Sequence, residues 1–158
     1  MASVVEDFLT AEEEQEVVEA IRQAELKTSG EIRVHLERTC DEEALERAKV
    51  LFHQLKMDNT KEENGVLIYV AVDAKKFAIC GDRGINKVVP DDFWQSTKDL
   101  MQTEFKNRKF KTGLVKGISS AGDQLAHFFP WDDDDINELS DEISTSWSIY
   151  LKYVLLER

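Results

Sequence analysis

The residues best suited to chemistry are oxygen-bearing side chains that stand beside predicted strand ends. They fall in separate stretches of the chain that precede or follow apolar strands. Carboxylate and amide oxygens are the ligands of hard cations: Ca²⁺ takes about six to eight oxygens, whereas Mg²⁺ keeps several waters. Neighbouring glycines let backbone groups approach a ligand closely. The residues concerned are Glu31, Glu62, Glu63, Asn64, Asp82, Asp91 and Asp92.

Three strands are predicted to hold these side chains. Residues 31–37 alternate strictly between apolar and polar, which is typical of a strand with one buried face. Residues 66–72 are continuously apolar, as in a central strand that is covered on both faces. Residues 77–80 follow a short turn and are predicted to return as the second strand of a hairpin.

Four helices are predicted around the strands. Thr10 and Glu13 form a capping box that opens the first helix, and turn residues 27–30 end it. Residues 41–57 repeat apolar side chains at helical spacing. Pro90 is expected to start a third helix and Thr112 a fourth, with residues 81–89 as a loop. Gly113 and Gly117 in the last helix indicate close packing against a neighbour, because glycine is a poor helix former.

The element order, α-β-α-β-β-α-α, predicts an α/β fold. The first two strands and their crossover helix form a parallel β-α-β unit, and the hairpin adds an antiparallel strand. We expect a three-layer α/β/α sandwich, with helices on both faces of a small mixed sheet of three or four strands.

This topology predicts that the acidic stretches meet. Parallel strands start at one edge of a sheet, so residues 28–31 and 62–64 share that edge, and the hairpin returns residues 81–84 to it. We call this edge the rim. The next helix begins nearby at residues 90–92, so an oxygen-rich cation pocket is predicted. The alternative interpretation is that these are solvated loop acids, with Asp91 and Asp92 placed at the positive end of a helix dipole.

Charge and length limit the classes of partner. The chain has 158 residues, enough for one domain, and 32 acids against 20 bases give a net charge of −12. That charge disfavours nucleic acid and anionic membranes and leaves cations or a protein as partners.

Neither a membrane span nor a secretory signal is recognisable, so a soluble, cytoplasmic protein is expected. Residues 132–158 carry eight acids and two bases, half of the net charge.

Several kinds of catalytic site are not indicated by the sequence. It contains no P-loop and no dinucleotide-binding glycine pattern, and its three histidines lack zinc spacing. No serine or cysteine belongs to a recognisable nucleophile motif. Cys40 and Cys80 are predicted at opposite edges of the sheet, too far apart for a disulfide, and therefore free.

Several short blocks, in this order and spacing, resemble the TPM domain. The resemblance covers residues 8–129 and is to a compact, soluble bacterial member of that family. It leaves residues 130–158 as an acidic tail that ends in a short amphipathic segment. The blocks are Leu9-Thr10, Thr28-Ser29-Gly30-Glu31-Ile32, Asn64-Gly65-Val66-Leu67-Ile68, Gly81-Asp82-Arg83-Gly84-Ile85 and Val89-Pro90-Asp91.

The resemblance implies an α/β/α sandwich with a crevice at the rim that binds calcium or magnesium. Carried over by position, the candidate ligands are Glu31, Asn64, Asp82, Asp91 and Asp92. The position of Asp82 varies within the family. Some plant relatives are described as acid phosphatases.

Three functions follow from these observations. The first is a metal-binding interaction or regulatory module in which a cation orders the rim loops. The second is a metal-dependent acid phosphatase, in which the cation polarises a phosphoryl oxygen and activates water. The third is a structural domain whose tail recruits a protein partner.

Overall fold

The computed structural model describes residues 8–131 and 143–146. Its secondary structure follows the predicted order with three additions: a short helix, a 3₁₀ turn and a fourth strand. The helices are α1 (Ala11–Glu25), α2 (Ala44–Gln54), α3 (Arg83–Asn86), α4 (Gln95–Lys106) and α5 (Phe110–Phe128), with a 3₁₀ turn at Met57–Asn59. The strands are β1 (Glu31–Glu37), β2 (Gly65–Ala71), β3 (Lys76–Gly81) and β4 (Ser144–Ser146).

The sheet is mixed, and its strands lie in the order β3-β2-β1-β4. β1 and β2 are parallel, with Glu31 opposite Gly65, and β3 runs antiparallel to β2. All seven residues of β2 are buried, as its continuous apolar sequence predicts for a central strand. The predicted β-α-β unit and hairpin are therefore confirmed.

Helices cover both faces of the sheet, which confirms the predicted α/β/α layering. The larger core lies between one face and the helices α1, α4 and α5, where side chains such as Ile32, Ile68 and Leu114 pack. The smaller core lies under α2, where Leu51 and Leu67 pack. Alternation along β2 thus sends successive side chains to different cores.

The glycines of α5 allow the close packing that the sequence predicts. A methyl group added at Gly113 would lie 2.5 Å from the ring of Phe105. At Gly117 it would lie 2.5 Å from the sulfur of Met101. α4 and α5 therefore approach each other at positions where any larger side chain would collide.

Four local predictions were wrong. α2 spans Ala44–Gln54 instead of residues 41–57. Residues 81–89 are not all loop, because α3 lies within them. α4 begins at Gln95 instead of Pro90, because residues 90–95 first make tight turns in which the Phe93 N–H bonds the Pro90 carbonyl. α5 begins at Phe110 instead of Thr112, since the Gly113 N–H already bonds the Lys109 carbonyl.

β4 returns the chain to the sheet after α5. Its three residues pair in parallel with the end of β1, and Ser146 lies opposite Glu37. Ile143, just before it, is buried in the larger core. The sequence did not predict these contacts, because Ser-Thr-Ser has no strand pattern. The acidic run of residues 132–142 and the apolar residues 147–154 lie outside the described residues.

Cys40 and Cys80 are both free, as predicted, and both are buried. Burial raises the pKa of the Cys80 thiol to about 11, so this sulfur stays protonated at neutral pH. Within the described residues, no helix combines the length and apolar character that crossing a membrane requires.

The capping box of α1 gives a first test of the fold. The Glu13 N–H donates to the Thr10 hydroxyl at 3.1 Å, and the Thr10 N–H donates to the Glu13 carboxylate at 3.0 Å. We expect Thr10→Ala to lower the free energy of unfolding by about 1 kcal/mol in urea denaturation. Thr103→Ala, at an exposed position inside α4, serves as the control and should change it far less. Equal losses for the two variants would contradict the role of the box.

Candidate functional site

The rim places Glu31, Asn64 and Asp82 beside Gly65. Glu31 is paired with Gly65 across β1 and β2, and its N–H donates to the Asn64 carbonyl at 3.3 Å. The Asp82 N–H donates to the Gly65 carbonyl at 2.9 Å. Glu31 and Asp82 therefore flank Gly65 from opposite sides. All three polar residues are buried.

A polar cluster fixes the loops that lead into β1 and β2. The Ser29 hydroxyl donates to a Glu62 carboxylate oxygen at 2.8 Å. The Asn64 amide nitrogen donates to the same oxygen at 3.0 Å and to the Ser29 hydroxyl at 3.2 Å. Because these bonds use the amide nitrogen, the amide oxygen of Asn64 is the atom that it can offer to a cation.

Only one oxygen of the Asp82 carboxylate is hydrogen-bonded by the described residues. Its Oδ1 accepts the Arg83 N–H at 2.7 Å and so caps α3. Its Oδ2 is buried and has no hydrogen-bond partner in the described part of the chain, and the residue is only 6% exposed. Burial raises the pKa of Asp82, against the lowering effect of the Arg83 N–H bond. This carboxylate therefore holds its negative charge at an energetic cost.

Asp91 and Asp92 lie elsewhere. Both are exposed, and they line a cleft of about 300 Å³ beside the edge strand β3, together with Lys49 and Lys98. Glu31 and Asn64 do not line this cleft. Neighbouring strands are about 4.8 Å apart, so β1 lies roughly 10 Å from β3. The structure thus places Asp91 and Asp92 at a cleft that Glu31 and Asn64 do not line, and a single site for all five predicted ligands stays a prediction.

The surroundings of Asp82 include residues that the sequence did not single out. Asp58 and Glu63 both raise the pKa of Asp82 by their charge, and Arg83 lowers it. The Arg83 guanidinium contacts the Glu63 carboxylate at 2.8 Å. Asp58 bonds the ring of His53 at 2.9 Å, and this bond lowers the pKa of Asp58. Asp58 lies in the 3₁₀ turn, which no pattern in the sequence predicts.

These acids do not form a ready-made cage. Among residues 8–131 and 143–146, no three Asp, Glu, His or Cys side chains are grouped so that they could hold a metal ion. A cation at the rim would therefore need amide and carbonyl oxygens beside its carboxylates, which is common for Ca²⁺.

Comparison with known proteins identifies the family. The model of the TPM domain matches residues 4–124. The chain belongs to the TPM domain family. A solved structure that resembles this TPM domain is the NMR structure of the BA42 protein from the psychrophilic bacterium Bizionia argentinensis sp. nov.. The two are 59% identical, with a TM-score of 0.84, over 90% of this chain and 98% of the other. A search of curated proteins gave no match.

The opposite edge of this TPM domain holds a second buried polar cluster. The Arg47 guanidinium donates three hydrogen bonds to the Glu37 carboxylate, the shortest at 2.6 Å. The Tyr69 hydroxyl donates a fourth at 2.5 Å. Nearby, burial lowers the pKa of His35 to about 4, which keeps this ring neutral. The Glu37 carboxylate is saturated by its protein partners, so this cluster is structural.

We expect Asp82→Asn to stabilise the TPM domain at neutral pH. A carboxyl whose pKa rises on folding binds its proton more tightly in the folded state. Its ionisation therefore costs stability once the pH exceeds the unfolded pKa of about 3.9. Asparagine removes that cost and keeps an oxygen for the Arg83 N–H. The urea midpoint should rise at pH 7, and the gain should vanish as the pH falls toward about 3.5.

The matched control is Asp99→Asn, which neutralises an exposed carboxylate on α4. It should leave the midpoint nearly unchanged at both pH values, since solvent already stabilises that charge. If the Asp82→Asn protein is no more stable than the parent at pH 7, the folded protein stabilises the Asp82 charge as well as water does in the unfolded chain.

Proposed function

We propose that this TPM domain binds a divalent cation, Ca²⁺ or Mg²⁺, at the rim, and that the cation orders the rim loops as part of an interaction or regulatory module. The observation that carries the proposal is the buried Oδ2 of Asp82, which lacks a hydrogen-bond partner in the described residues. Buried carboxylate oxygens normally have a partner, and a hard cation supplies one.

The proposed ligands are the carboxylate of Asp82 and the amide oxygen of Asn64, with Glu31 on the other side of Gly65. Asp91 and Asp92 are proposed to act differently. They are exposed in the neighbouring cleft, so they attract cations toward the rim by their charge and need not contact the bound ion. Ca²⁺ tolerates an irregular set of oxygens better than Mg²⁺ does.

The proposal is tested by titrating the chelator-treated full chain with CaCl₂ and MgCl₂ while following thermal unfolding and backbone amide NMR. At about 100 times Kd a ligand adds about 2.7 kcal/mol, which corresponds to a rise in Tm of roughly 5–10 °C. Shifts should concentrate at residues 29–31, 64 and 81–84. Asp82→Asn should lose the response and Asp99→Asn should keep it. Unchanged Tm and spectra of the parent protein with both ions would overturn the proposal.

A metal-dependent phosphatase is the second candidate. The observation that favours it is the cleft beside β3, where Lys49 and Lys98 provide positive charge for a phosphate and Asp91 and Asp92 provide carboxylates. A cation held there would activate a water molecule for attack on phosphorus, with release of the alcohol. Hydrolysis of p-nitrophenyl phosphate by the parent protein, stimulated by Mg²⁺ and lost in Asp91→Asn, is the expected result. Absence of metal-stimulated turnover would remove this function.

A further inference from the structure

Arg83 lies between two carboxyl groups of the rim. Its backbone N–H donates to Oδ1 of Asp82 at 2.7 Å. Its guanidinium donates to Oε1 of Glu63 at 2.8 Å. The guanidinium side chain is 77% exposed, whereas that of Glu63 is 33% exposed. An exposed positive group therefore partly neutralises the less exposed carboxylate of Glu63.

The backbone fixes Glu63 against the first turn of α3. Glu63 has a positive φ of 52°, and its carbonyl accepts the Gly84 N–H at 2.8 Å. A Cβ atom at Gly84 would lie only 2.3 Å from the Glu62 carbonyl oxygen, so the two segments are in direct contact. The backbone of Glu63 is thus held against the turn that follows Asp82, which fixes the position of the Glu63 Cα atom.

Two acidic side chains and one basic side chain act on Asp82 by their charge. Glu63 and Asp58 disfavour its ionised form, and Arg83 favours it. The guanidinium donates to Glu63, and Oδ2 of Asp82 has no hydrogen-bond partner among residues 8–131 and 143–146. A divalent ion carries twice the charge of a guanidinium and is small enough to serve two carboxylates together.

We infer that Arg83 is the built-in counter-ion of the cation site, that a divalent cation displaces it from Glu63, and that Glu63 then joins Asp82 as a ligand. The inference rests on the proposed cation site. The exchange is inexpensive, because exposed ion pairs contribute only about 0.2–1 kcal/mol. Arg83 therefore lowers the affinity of the site and keeps Glu63 in place while no cation is bound.

The test is calorimetric titration of the chelator-treated full chain with CaCl₂. Arg83→Gln removes the competing cation and should lower the Kd for Ca²⁺ by about threefold to fivefold. This factor corresponds to the upper part of the free-energy range for an exposed ion pair. Glu63→Gln removes a ligand and should raise Kd by about tenfold. The matched control is Lys87→Gln, which removes the same charge from the exposed end of α3.

Lys87→Gln should change Kd by less than about twofold. If Arg83→Gln and Lys87→Gln change Kd equally, only the net charge of the protein affects binding. If Glu63→Gln leaves Kd unchanged, Glu63 is not a ligand. Either result overturns the inference. If the parent protein binds Ca²⁺ and Asp82→Asn abolishes binding, the proposed function stands even when Arg83→Gln has no effect. No Ca²⁺ binding by the parent protein overturns both.

Discussion

Glu37→Ala is expected to lower the free energy of unfolding by about 3–5 kcal/mol. The substitution removes the acceptor of three hydrogen bonds from Arg47 and one from the buried hydroxyl of Tyr69. Tyr69 is fully buried, and the Arg47 side chain is 27% exposed, so neither recovers its lost bonds fully from water. Urea denaturation followed by circular dichroism measures the loss.

Two further variants separate the buried pair from an ordinary ion pair. Glu46→Ala breaks an exposed pair with Lys49 on the same helix as Arg47, and should cost less than about 0.5 kcal/mol. The double variant Glu37→Leu/Arg47→Met replaces both charges by apolar groups and should recover part of the loss. If Glu37→Ala costs no more than Glu46→Ala, the cluster is solvated in solution and carries no structural role.

The strands were predictable because their apolar side chains recur at strand spacing. Residues 31–37 alternate, and β1 has the same bounds as the predicted strand, but both of its faces are largely buried, where the sequence predicted one. In β2 every residue is buried between two helical layers, and the sequence is apolar throughout. The parallel start of these strands also placed Glu31 and Asn64 at one edge. Hydrophobic periodicity and the right-handed connection of parallel strands were therefore sufficient to predict the core of the fold.

The distances between the acidic residues of different strands along the rim could not be predicted in the same way. The sequence indicates that Asp91 follows β3 and that Glu31 begins β1. It does not say that β3 is the outer strand, with two strand spacings between them. Whether Oδ2 of Asp82 finds a partner depends on how the loop at residues 60–64 packs over α3. That packing is a tertiary contact between segments about 20 residues apart, and no local pattern encodes it.

Short elements were missed for a related reason. α3 is a four-residue helix, which is too short to establish a helical period. It is held by the Asp82 cap and by the contact of Gly84 with the loop before β2. β4 has three residues, and its position is set by the available edge of β1. Such elements form because of their neighbours, and their own sequences carry little signal.

Gly84→Ala is expected to be the most disruptive single-methyl change at the rim. The added Cβ would lie 2.3 Å from the carbonyl oxygen of Glu62 and 2.6 Å from that of Glu63. Both are backbone atoms, so no side-chain rotation can relieve the collision. The loop must move away from α3, with loss of the Gly84 N–H bond to Glu63. We expect a loss of about 3 kcal/mol in urea denaturation, at the upper end for overpacking.

Gly81→Ala is the matched control, because it adds the same methyl group three residues earlier. Its Cβ would meet Ile85 and the Trp94 ring nitrogen at 3.5 Å, an ordinary van der Waals distance, so its stability should change by less than about 1 kcal/mol. Gly84→Ala should also abolish the Ca²⁺ response, since it separates the Glu63 segment from Asp82, whereas Gly81→Ala should retain it. A Gly84→Ala protein that is as stable as Gly81→Ala would show that the loop and α3 are not in contact in solution. If Gly84→Ala is destabilised but still binds Ca²⁺ with the parent Kd, the ion binds elsewhere, and the segment around Asp82 has only a structural role.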